Sequence, residues 1–316
     1  MASNDQPTKA ADAPQAVAPT AKERQAGVYS ARNLQKALGA LHQDGLVVLQ
    51  GIIDKGHIDA LNATMCEEAS QRIADPKQAY NQNVKLTDPT HLHEDVYFNS
   101  FVLQIANAYL GPNPIWNWLT ANTAIADTPG LRQAEHKDSS FDHPQCPYYL
   151  IANIPLCDFS VANGATEFWL GSSVYTSIED QQVVHEDCTV SMKPYKAGER
   201  IPWISDEAKA ARRSVRPPLQ PAVARGDVLI RDLRTWHAGM PNLSTEHRVM
   251  LGLGYQSPIH PNYKQRLHLP LSTQDFFLGQ AKGRVEVRAN FYEDSEFAVT
   301  KADTYFDIRP QYGAEE

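Results

Sequence analysis

The chain has 316 residues, a formal net charge of −8 and five tryptophans, enough for the core of one large domain or two small ones. The dispersed charges form no basic stretch of the kind that binds nucleic acid, and no apolar run reaches the roughly 18 residues of a membrane span. We therefore expect neither partner. The four cysteines form no CxxC pair and no zinc spacing, and no apolar signal-peptide core precedes them. These features predict a cytoplasmic protein with reduced thiols.

The N-terminal part of the chain combines a polar tail with the first elements of a domain. Residues 1–27 are rich in Ala, Pro, Gln, Lys and Asp and show no periodicity, so we predict a disordered tail followed by a single domain over residues 28–316. Apolar residues at helical spacing predict a helix over residues 31–43. An apolar run predicts a buried strand over residues 46–49, and a second helix runs from residue 54 to about residue 74.

A polar stretch over residues 77–94 predicts a loop, in which His91 and His93 form an HxH pair. No nearby acidic residue completes a metal site there, so the loop more simply lines the mouth of a pocket. Apolar positions predict a helix over residues 95–110, and the Gly-Pro-Asn-Pro run that follows breaks it. Residues 116–126 predict the first strand of a sheet.

Later parts of the chain alternate between short apolar runs and turn residues. The runs that predict strands cover residues 148–156, 166–170, 227–231 and 248–255, and Asn163-Gly164 is a tight-turn signal. Short strands with turns about every ten residues indicate an all-β sandwich or barrel. The predicted fold class is therefore mainly β with flanking helices, around a double-stranded β-helix core, that is, a cupin-like jelly roll.

Two segments do not follow this spacing. Residues 175–216 are polar, with acidic residues early and basic residues late, and we interpret them as a lid insertion or, alternatively, as a solvated decoration. The C-terminal residues 257–316 are rich in Arg, Tyr, Phe and Pro, and only residues 272–278 have the pattern of a helix.

The strongest chemical signal is a pair of residues two positions apart. His136 and Asp138 would point to the same face of a strand. Such a pair recurs by chance in many proteins, but His237, about a hundred residues later, follows a predicted strand and offers a third ligand. Two imidazoles and one carboxylate on one face of a metal leave open positions, as in the non-haem Fe(II) oxygenases. His247 is a rival third ligand, although it lies in a turn.

Further motifs accompany these three residues. They are Gln133, Asn163-Gly164-Ala165-Thr166 with Gly171-Ser172-Ser173, Gly226-Asp227, and Trp236-His237 with Arg248 eleven residues after His237. Over roughly residues 30 to 260 the sequence resembles the phytanoyl-CoA dioxygenase-like family of Fe(II)- and 2-oxoglutarate-dependent oxygenases. It looks closest to the fungal branch that acts on secondary metabolites and other small molecules.

The resemblance implies that His136, Asp138 and His237 hold Fe(II), with 2-oxoglutarate and O2 at the open positions. The reaction would be oxidation of a small organic molecule, by hydroxylation, desaturation or related C–H chemistry. Asp138 argues against a halogenase, because halogenases replace this carboxylate with a small residue. Related enzymes are often homodimers, and residues 257–316 could help close the site of a neighbouring subunit.

By the same resemblance, three residues bind 2-oxoglutarate. Gln133 and Thr166 would hydrogen-bond it, and Arg248 would pair with its far carboxylate through a planar, two-pronged contact. The alternative for Arg248 is a surface ion pair with Glu246.

Other side chains are weaker candidates. Lys137, the middle residue of the HxD triplet, should point away from the metal, and His143 lies in a loop from which it could approach the substrate. Aromatic residues of a jelly roll are more often plain core, but four of them could line a substrate pocket: Phe141, Tyr148, Trp169 and Trp236.

Two other functions remain open. The chain could be a non-catalytic partner subunit or binding protein of the same fold, although the complete set of ligands argues against it. It could also be a cupin-like metal enzyme that needs no 2-oxoglutarate. Gln133, Thr166 and Arg248 would then lack a purpose.

Overall fold

The computed structural model describes residues 13–71, 81–139, 141–174, 176–184, 190–191, 202–299 and 306–311. The α-helices in these ranges are α1 (Ala21–Ala26), α2 (Ala31–Asp44), α3 (Lys55–Gln71), α4 (Glu94–Tyr97), α5 (Ser100–Leu110), α6 (Asp206–Val215), α7 (Gln274–Ala281) and α8 (Asp294–Val299). Short 3-10 helices cover Pro89–His91, Ile178–Asp180 and Leu271–Thr273. The strands are β1 (Ala16–Val17), β2 (Leu46–Leu49), β3 (Asn81–Gln82), β4 (Ile115–Ala124), β5 (Tyr149–Pro155), β6 (Glu167–Phe168), β7 (Gln181–Val184), β8 (Val190–Ser191), β9 (Trp203–Ile204), β10 (Val228–Asp232), β11 (His237–Ala238), β12 (Arg248–Gln256), β13 (Leu267–Pro270), β14 (Glu286–Val287) and β15 (Ala289–Tyr292).

The largest sheet combines strands from both halves of the chain. Its order is β1-β2-β10-β5-β12-β4-β14, and β3 also pairs with β4. The central strands β10, β5, β12 and β4 pair antiparallel. Smaller sheets join β11 to β6, β13 to β15, and β7 to both β8 and β9. The long central strands are the ones that the sequence predicted, within two residues at each end.

One face of the main sheet is covered by helices. Val228 and Ile230 of β10 lie in a continuous apolar cluster with Leu41 of α2, Leu61 of α3 and Ile105 of α5. Removing such side chains from water stabilises the fold by about 1.5–3 kcal/mol each. This cluster is the main hydrophobic core, and it supports the sheet from behind.

The opposite face of the main sheet looks toward a second layer. Leu229, Asn153 and Gly252 lie side by side on β10, β5 and β12 on this face. Leu229 packs in a separate apolar cluster with Phe159 and with Phe168 of β6. The two layers, with a cavity between them, form the double-stranded β-helix, and the predicted fold class is confirmed.

The predicted disordered tail is wrong over residues 13–27. β1 pairs in parallel with β2, and α1 begins with a capping box in which the side chains of Thr20 and Glu23 each accept the other's backbone N–H. Glu23 is buried and also accepts the N–H and the hydroxyl of Ser30. These contacts tie the segment to the start of α2, whereas residues 1–12 lie outside the described residues.

The predicted helices over residues 31–43 and 54–74 correspond to α2 and α3, with residues 72–74 outside the described residues, but the helix predicted over residues 95–110 is interrupted. Asn99 separates α4 from α5. Its side-chain oxygen accepts the N–H groups of Phe101 and Val102 and so caps the second helix. A polar residue inside an apolar pattern was the signal for this break.

The polar insertion contains regular structure that its composition did not indicate. The described part of residues 175–216 includes β7, β8, β9 and α6. Arg212 of α6 donates to the backbone oxygen of Leu170, and Arg216 forms an ion pair with the buried Asp44 at 2.8 Å. These contacts fix α6 against the body of the protein. A lid remains a prediction, since residues 175, 185–189 and 192–201 lie outside the described residues.

The described C-terminal residues pack on their own chain. β13, β14, β15, α7 and α8 follow β12, although the sequence indicated only one helix there. The ring of Phe306 lies 5.2 Å from that of Trp118, centroid to centroid. The side chain of Asn262 donates to the backbone oxygens of Asp307 and Arg309. The described residues of this segment therefore pack on their own chain, and a homodimer in which the segment closes a neighbouring site stays a prediction.

Two expectations from composition can be compared with the described residues. Cys66, Cys146 and Cys157 are free thiols, while Cys188 lies outside these residues. In the described parts of the chain, every helix is too short or too polar to cross a bilayer. The cytoplasmic location stays a prediction.

Candidate metal centre

The two histidines of the predicted ligand set meet across a short antiparallel bridge. His136 and His237 exchange backbone hydrogen bonds, with N–O distances of 3.0 and 2.9 Å. The strand predicted around His136 is therefore a single bridging residue, while His237 begins β11. Directly paired residues project to the same side, and the two imidazole centroids lie 4.4 Å apart.

Asp138 completes the set. Its Oδ1 lies 3.7 Å from Nε2 of His136, and its Oδ2 lies 3.8 Å from Nε2 of His237. One donor atom from each residue falls within 4.8 Å of the others, a spacing that suits a single metal ion. Nδ1 of each ring contacts a backbone oxygen, that of Ala134 at 2.8 Å and that of Thr235 at 3.1 Å. The proton therefore belongs on Nδ1, and both Nε2 atoms are left for a metal.

The protonation states also suit a metal. Burial alone would raise the pKa of the Asp138 carboxyl, but the positive charge of Arg231 and the neighbouring histidines hold that pKa well below its ordinary range. Burial, reinforced by Arg231, lowers the pKa of His237 well below its usual value. At neutral pH the site offers a carboxylate and a neutral imidazole, which are the metal-binding forms.

Arg231 is a site residue that the sequence analysis missed. It lies in β10 and is 5% exposed. Its Nη2 donates to Oδ2 of Asp138 at 2.5 Å, and its Nε donates to Oδ1 of Asn153 at 3.2 Å. Its Nη1 has no hydrogen-bond partner among the described residues. The available signal in the sequence was its position directly after an apolar run of three residues, which suggests that Arg231 is buried. A buried charge needs a partner, so such an arginine is a candidate site residue.

The three candidate ligands face a cavity of about 200 Å³ between the sheet layers. Its aromatic lining residues are Trp118, Phe168 and Phe306, and its amide and hydroxyl side chains include Asn81, Thr120, Asn122 and Asn153. The aromatic residues named from the sequence lie instead in other buried clusters; they are Phe141, Tyr148, Trp169 and Trp236. Strand register decides which aromatic residues face a cavity, and the composition of a strand does not reveal it.

Gln133 and Thr166 line the same cavity. The side-chain oxygen of Gln133 accepts the N–H of Gly239 at 2.8 Å, which fixes its side chain. Thr166 follows the turn at Asn163-Gly164. Gly164 has a φ of 75°, and a Cβ there would lie 2.6 Å from the backbone oxygen of Met240, so only glycine fits.

Arg248 begins β12 on the cavity face, two residues before the cavity-lining Met250. Only 2% of its surface is exposed, which rules out the surface ion pair with Glu246. Its Nη2 donates to the backbone oxygen of Gly164 at 2.9 Å, and its guanidinium lies 5.0 Å from the ring centroid of Phe159. Its Nε and Nη1 have no partner among the described residues. Burial lowers the pKa of Arg248 to about 10, so it stays charged at neutral pH.

A family model described as phytanoyl-CoA dioxygenase (PhyH) matches residues 41–250, roughly two thirds of the chain. The chain belongs to the phytanoyl-CoA dioxygenase family. Solved structures of the same fold include EctD from S. alaskensis with bound Fe, which is 15% identical, with coverage of 84% of this chain and 88% of EctD and a TM-score of 0.56. EctD with 2-oxoglutarate and 5-hydroxyectoine is 16% identical, with coverage of 72% and 76% and a TM-score of 0.50. At these identities the likeness to EctD concerns the fold.

In this phytanoyl-CoA dioxygenase family member, the residue between the first two ligands points away from them, as predicted. Lys137 is fully buried, and its Nζ donates to the backbone oxygen of Ser177 at 2.6 Å and to the hydroxyl of Thr176 at 3.0 Å. His143 is buried beside it, with Nε2 3.1 Å from Nζ. His143 is therefore part of the support behind the site and does not line the cavity.

The remaining histidine candidates of this family member lie elsewhere. Nε2 of His247 contacts the hydroxyl of Ser70 at 3.0 Å, away from the ligand set. In the HxH pair, His91 is buried, while the ring of His93 stacks on that of His57 with centroids 3.9 Å apart. Across the described residues, His136, Asp138 and His237 are the group of three that could hold a metal ion.

Proposed function

We propose that the protein is an Fe(II)- and 2-oxoglutarate-dependent dioxygenase that uses O2 to oxidise a small organic molecule. One observation carries the proposal: two imidazoles and a carboxylate converge on a cavity whose wall continues toward a buried, incompletely paired Arg248. Membership of the phytanoyl-CoA dioxygenase family supports it. EctD, which has the same fold, has been solved with Fe and with 2-oxoglutarate.

His136, Asp138 and His237 would hold the iron. Imidazole and carboxylate are ligands that suit Fe(II). Backbone oxygens fix both rings through Nδ1, and Arg231 fixes Asp138. The three donors are therefore oriented before a metal arrives, and three protein ligands leave open positions for 2-oxoglutarate and O2.

Gln133, Thr166 and Arg248 would hold 2-oxoglutarate. The far carboxylate of this molecule needs a cation, and the free Nε and Nη1 of Arg248 offer the planar fork that matches a carboxylate. A buried guanidinium without an anion is costly, so the fit also explains why Arg248 is buried. Gln133 and Thr166 line the cavity and can hydrogen-bond the remaining oxygens.

Iron, 2-oxoglutarate and O2 together supply an oxidant able to break a C–H bond, with succinate and CO2 as the other products. The protein's own contribution is position and shielding. Trp118, Phe168 and Phe306 line the cavity, and their aromatic rings would shield a bound substrate from water. The placement of the substrate relative to the metal decides between hydroxylation, desaturation and related outcomes. Asp138 occupies the ligand position that halogenases leave to halide.

The cavity restricts the substrate. A volume of about 200 Å³ admits a small molecule or the reacting end of a larger one. Aromatic residues beside asparagine and threonine side chains suit a substrate that is partly apolar and partly polar. We place the activity in secondary metabolism because the sequence resembles the fungal branch of the family that acts there.

The proposal is tested by anaerobic titration of metal-free protein with Fe(II) and 2-oxoglutarate. A weak visible charge-transfer band is expected in the wild type and should vanish in His136→Ala. His247→Ala is the matched control, because this histidine lies outside the ligand set, and it should keep the band. Succinate release then provides a screen for substrates.

The negative outcomes differ in meaning. A folded wild type that binds Fe(II) and shows no band with 2-oxoglutarate would overturn the dioxygenase proposal and favour a non-catalytic partner subunit. A band that persists in His136→Ala would overturn the assignment of the ligands.

A further inference from the structure

Arg231 has a hydrogen-bond donor that the metal site does not use. Two of its nitrogens contact Asp138 and Asn153, while Nη1 is buried without a partner among the described residues. The same side chain lines the cavity. If Arg231 served only to hold Asp138, a buried N–H would be left unsatisfied, which is unfavourable.

A second unpaired donor lies in the same cavity wall. Trp118 projects from β4 on the cavity face, and its Nε1 also has no partner among the described residues. The guanidinium of Arg231 and the indole of Trp118 can donate but cannot accept hydrogen bonds. The complementary ligand atoms are therefore acceptors, and carboxylate oxygens are the strongest acceptors for such donors.

The formal charges of the loaded site leave room for one anion. Among the cavity-lining residues that the structure describes, Asp138 is the acidic side chain and Arg231 the basic one, and the buried Arg248 lies on the cavity face of β12, two residues before the lining Met250. Fe(II), Arg231 and Arg248 together carry four positive charges. Asp138 and the two carboxylates of 2-oxoglutarate carry three negative charges. One positive charge stays uncompensated in a largely buried site, where an unpaired charge is unfavourable.

We propose that Arg231 binds a carboxylate beside the metal and that this carboxylate belongs to the substrate, which is therefore a small organic acid. The inference rests on the proposed function, because the charge count includes Fe(II) and 2-oxoglutarate. Arg231 directly contacts Asp138, so an anion on its Nη1 lies close to the metal. The carbon atoms next to the acid group are then the ones presented for oxidation.

One other molecule could supply the same chemistry. The keto-acid end of 2-oxoglutarate also carries a carboxylate that approaches the metal. The two sources can be separated, because 2-oxoglutarate binding is measurable in the absence of any substrate. The unbalanced charge favours the substrate, since 2-oxoglutarate is already included in the count.

The experiment measures binding to the full chain loaded anaerobically with Ni(II), which prevents turnover, and saturated with 2-oxoglutarate. The probes are acetate, butyrate, phenylacetate and indole-3-acetate, each paired with its primary amide, which has nearly the same size and no charge. Calorimetry gives the affinities, and the Ni(II) content of each variant is measured separately. We expect at least one acid to bind tenfold or more tightly than its amide, and Arg231→Met to abolish this preference.

Two further variants guard against a folding defect. Asn153→Asp leaves Arg231 in place but offers its Nε a competing carboxylate, so we expect it to lose the preference while it stays folded. Arg231→Lys keeps the charge and should retain part of the preference. Arg225→Met is the matched control, because it removes a surface arginine that pairs with Asp59, and it should bind acids like the wild type.

The possible results distinguish the two proposals. Loss of the acid preference in Arg231→Met with unchanged 2-oxoglutarate affinity supports a substrate carboxylate. Tenfold weaker 2-oxoglutarate binding in that variant, with equal binding of acids and amides to the wild type, assigns the carboxylate to 2-oxoglutarate and overturns the substrate class. Equal binding with unchanged 2-oxoglutarate affinity overturns the inference alone. A wild type that does not bind 2-oxoglutarate overturns the proposed function and the inference with it.

Discussion

Gly239 donates its backbone N–H to the side-chain oxygen of Gln133, and its carbonyl accepts the backbone N–H of Gln133, both at 2.8 Å. This closed pair lies two residues beyond His237 and three residues before His136. It uses the acceptor of the Gln133 amide and leaves the NH2 group for a ligand in the cavity. These two hydrogen bonds hold Gln133 at the cavity at a fixed distance in sequence from His136 and, through Gly239, from His237.

Replacing Gly239 with alanine should therefore weaken 2-oxoglutarate binding without removing the metal. A Cβ at Gly239 would lie 2.6 Å from Oε1 of Gln133, so the amide must move. Loss of one hydrogen bond to a charged ligand costs about 1.5–3 kcal/mol, which predicts an affinity at least about tenfold weaker. Calorimetric titration of the Ni(II)-loaded variant measures it. Gly279→Ala, where a Cβ meets nothing within 4 Å, is the control; equal affinities in both variants would contradict the role of Gln133.

Replacing Arg248 with methionine should separate affinity from stability. The variant loses the two free N–H groups that we assign to the far carboxylate, so 2-oxoglutarate affinity should fall about 100-fold or more. It also removes a buried charge that lacks an anion in the ligand-free chain, so the urea midpoint of metal-free protein should stay constant or rise. Arg248→Lys keeps a charge without the fork and should bind weakly. A large drop in stability with unchanged affinity would make Arg248 a structural residue.

The ligand set could be predicted because its signals are short in sequence. His136 and Asp138 are separated by one residue, and the run from Gly226 to His237 is a compact strand and turn. Arg231 could not be assigned in the same way. Its partner Asp138 is 93 residues away and lies outside the strands, so no strand pattern in the sequence links the two, and the pairing of β10 with β5 is what puts Arg231 in the cavity wall. Pairings between distant strands depend on register, which a single sequence does not reveal.

The regions that were mispredicted are polar in composition. α6 has acidic residues in its first turn and basic residues in its last, and none of its residues is buried, so no apolar run marks it as part of the fold. The segment over residues 13–27 resembles a disordered tail in composition. Thr20 followed three residues later by Glu23 was nevertheless a capping-box signal. The local motif, and not the composition, agrees with the structure of this segment.

Glu23 should make stability depend on pH in the acid range. The hydrogen bond from the Ser30 hydroxyl, with those from the Thr20 and Ser30 N–H groups, lowers the pKa of Glu23 to about 2. A carboxyl with a depressed pKa stabilises the fold above its ordinary pKa of about 4.5 and loses this contribution as the pH falls to about 2. The urea midpoint of Glu23→Gln should lie below that of the wild type near neutral pH. The difference between the two midpoints should become smaller as the pH falls.

The control for this change is Glu67→Gln, which alters an exposed glutamate in α3. Its urea midpoint should match that of the wild type at each pH. A Glu23→Gln midpoint equal to the wild-type value near neutral pH would mean that the α1 segment contributes nothing to the stability of the fold.

Lys137 should produce the opposite kind of dependence, in the alkaline range. Burial lowers the pKa of its amine to about 7, even though Asp180 acts to raise it. Between about pH 7 and pH 10.5 the unfolded chain binds a proton that the folded chain has released, so this residue makes folding more favourable as the pH rises. The expected gain from pH 7 to pH 9 is about 2 kcal/mol. It should be absent in Lys137→Met, an unbranched replacement of similar length.

The measurement is the free energy of unfolding in urea for metal-free wild type and Lys137→Met at both pH values. Other groups also titrate in this window: burial raises the pKa of Cys66 to about 11, which lowers stability as the pH rises. That contribution is common to both proteins, so the difference between them isolates Lys137. His143 does not interfere, because burial and the charge of Lys137 lower its pKa to about 4.

Parallel pH profiles would show that Lys137 stays protonated and that a permanent cation lies behind the metal ligands. Diverging profiles would show that the Lys137 amine becomes neutral in the folded protein. Arg231 would then be the cation that balances Asp138.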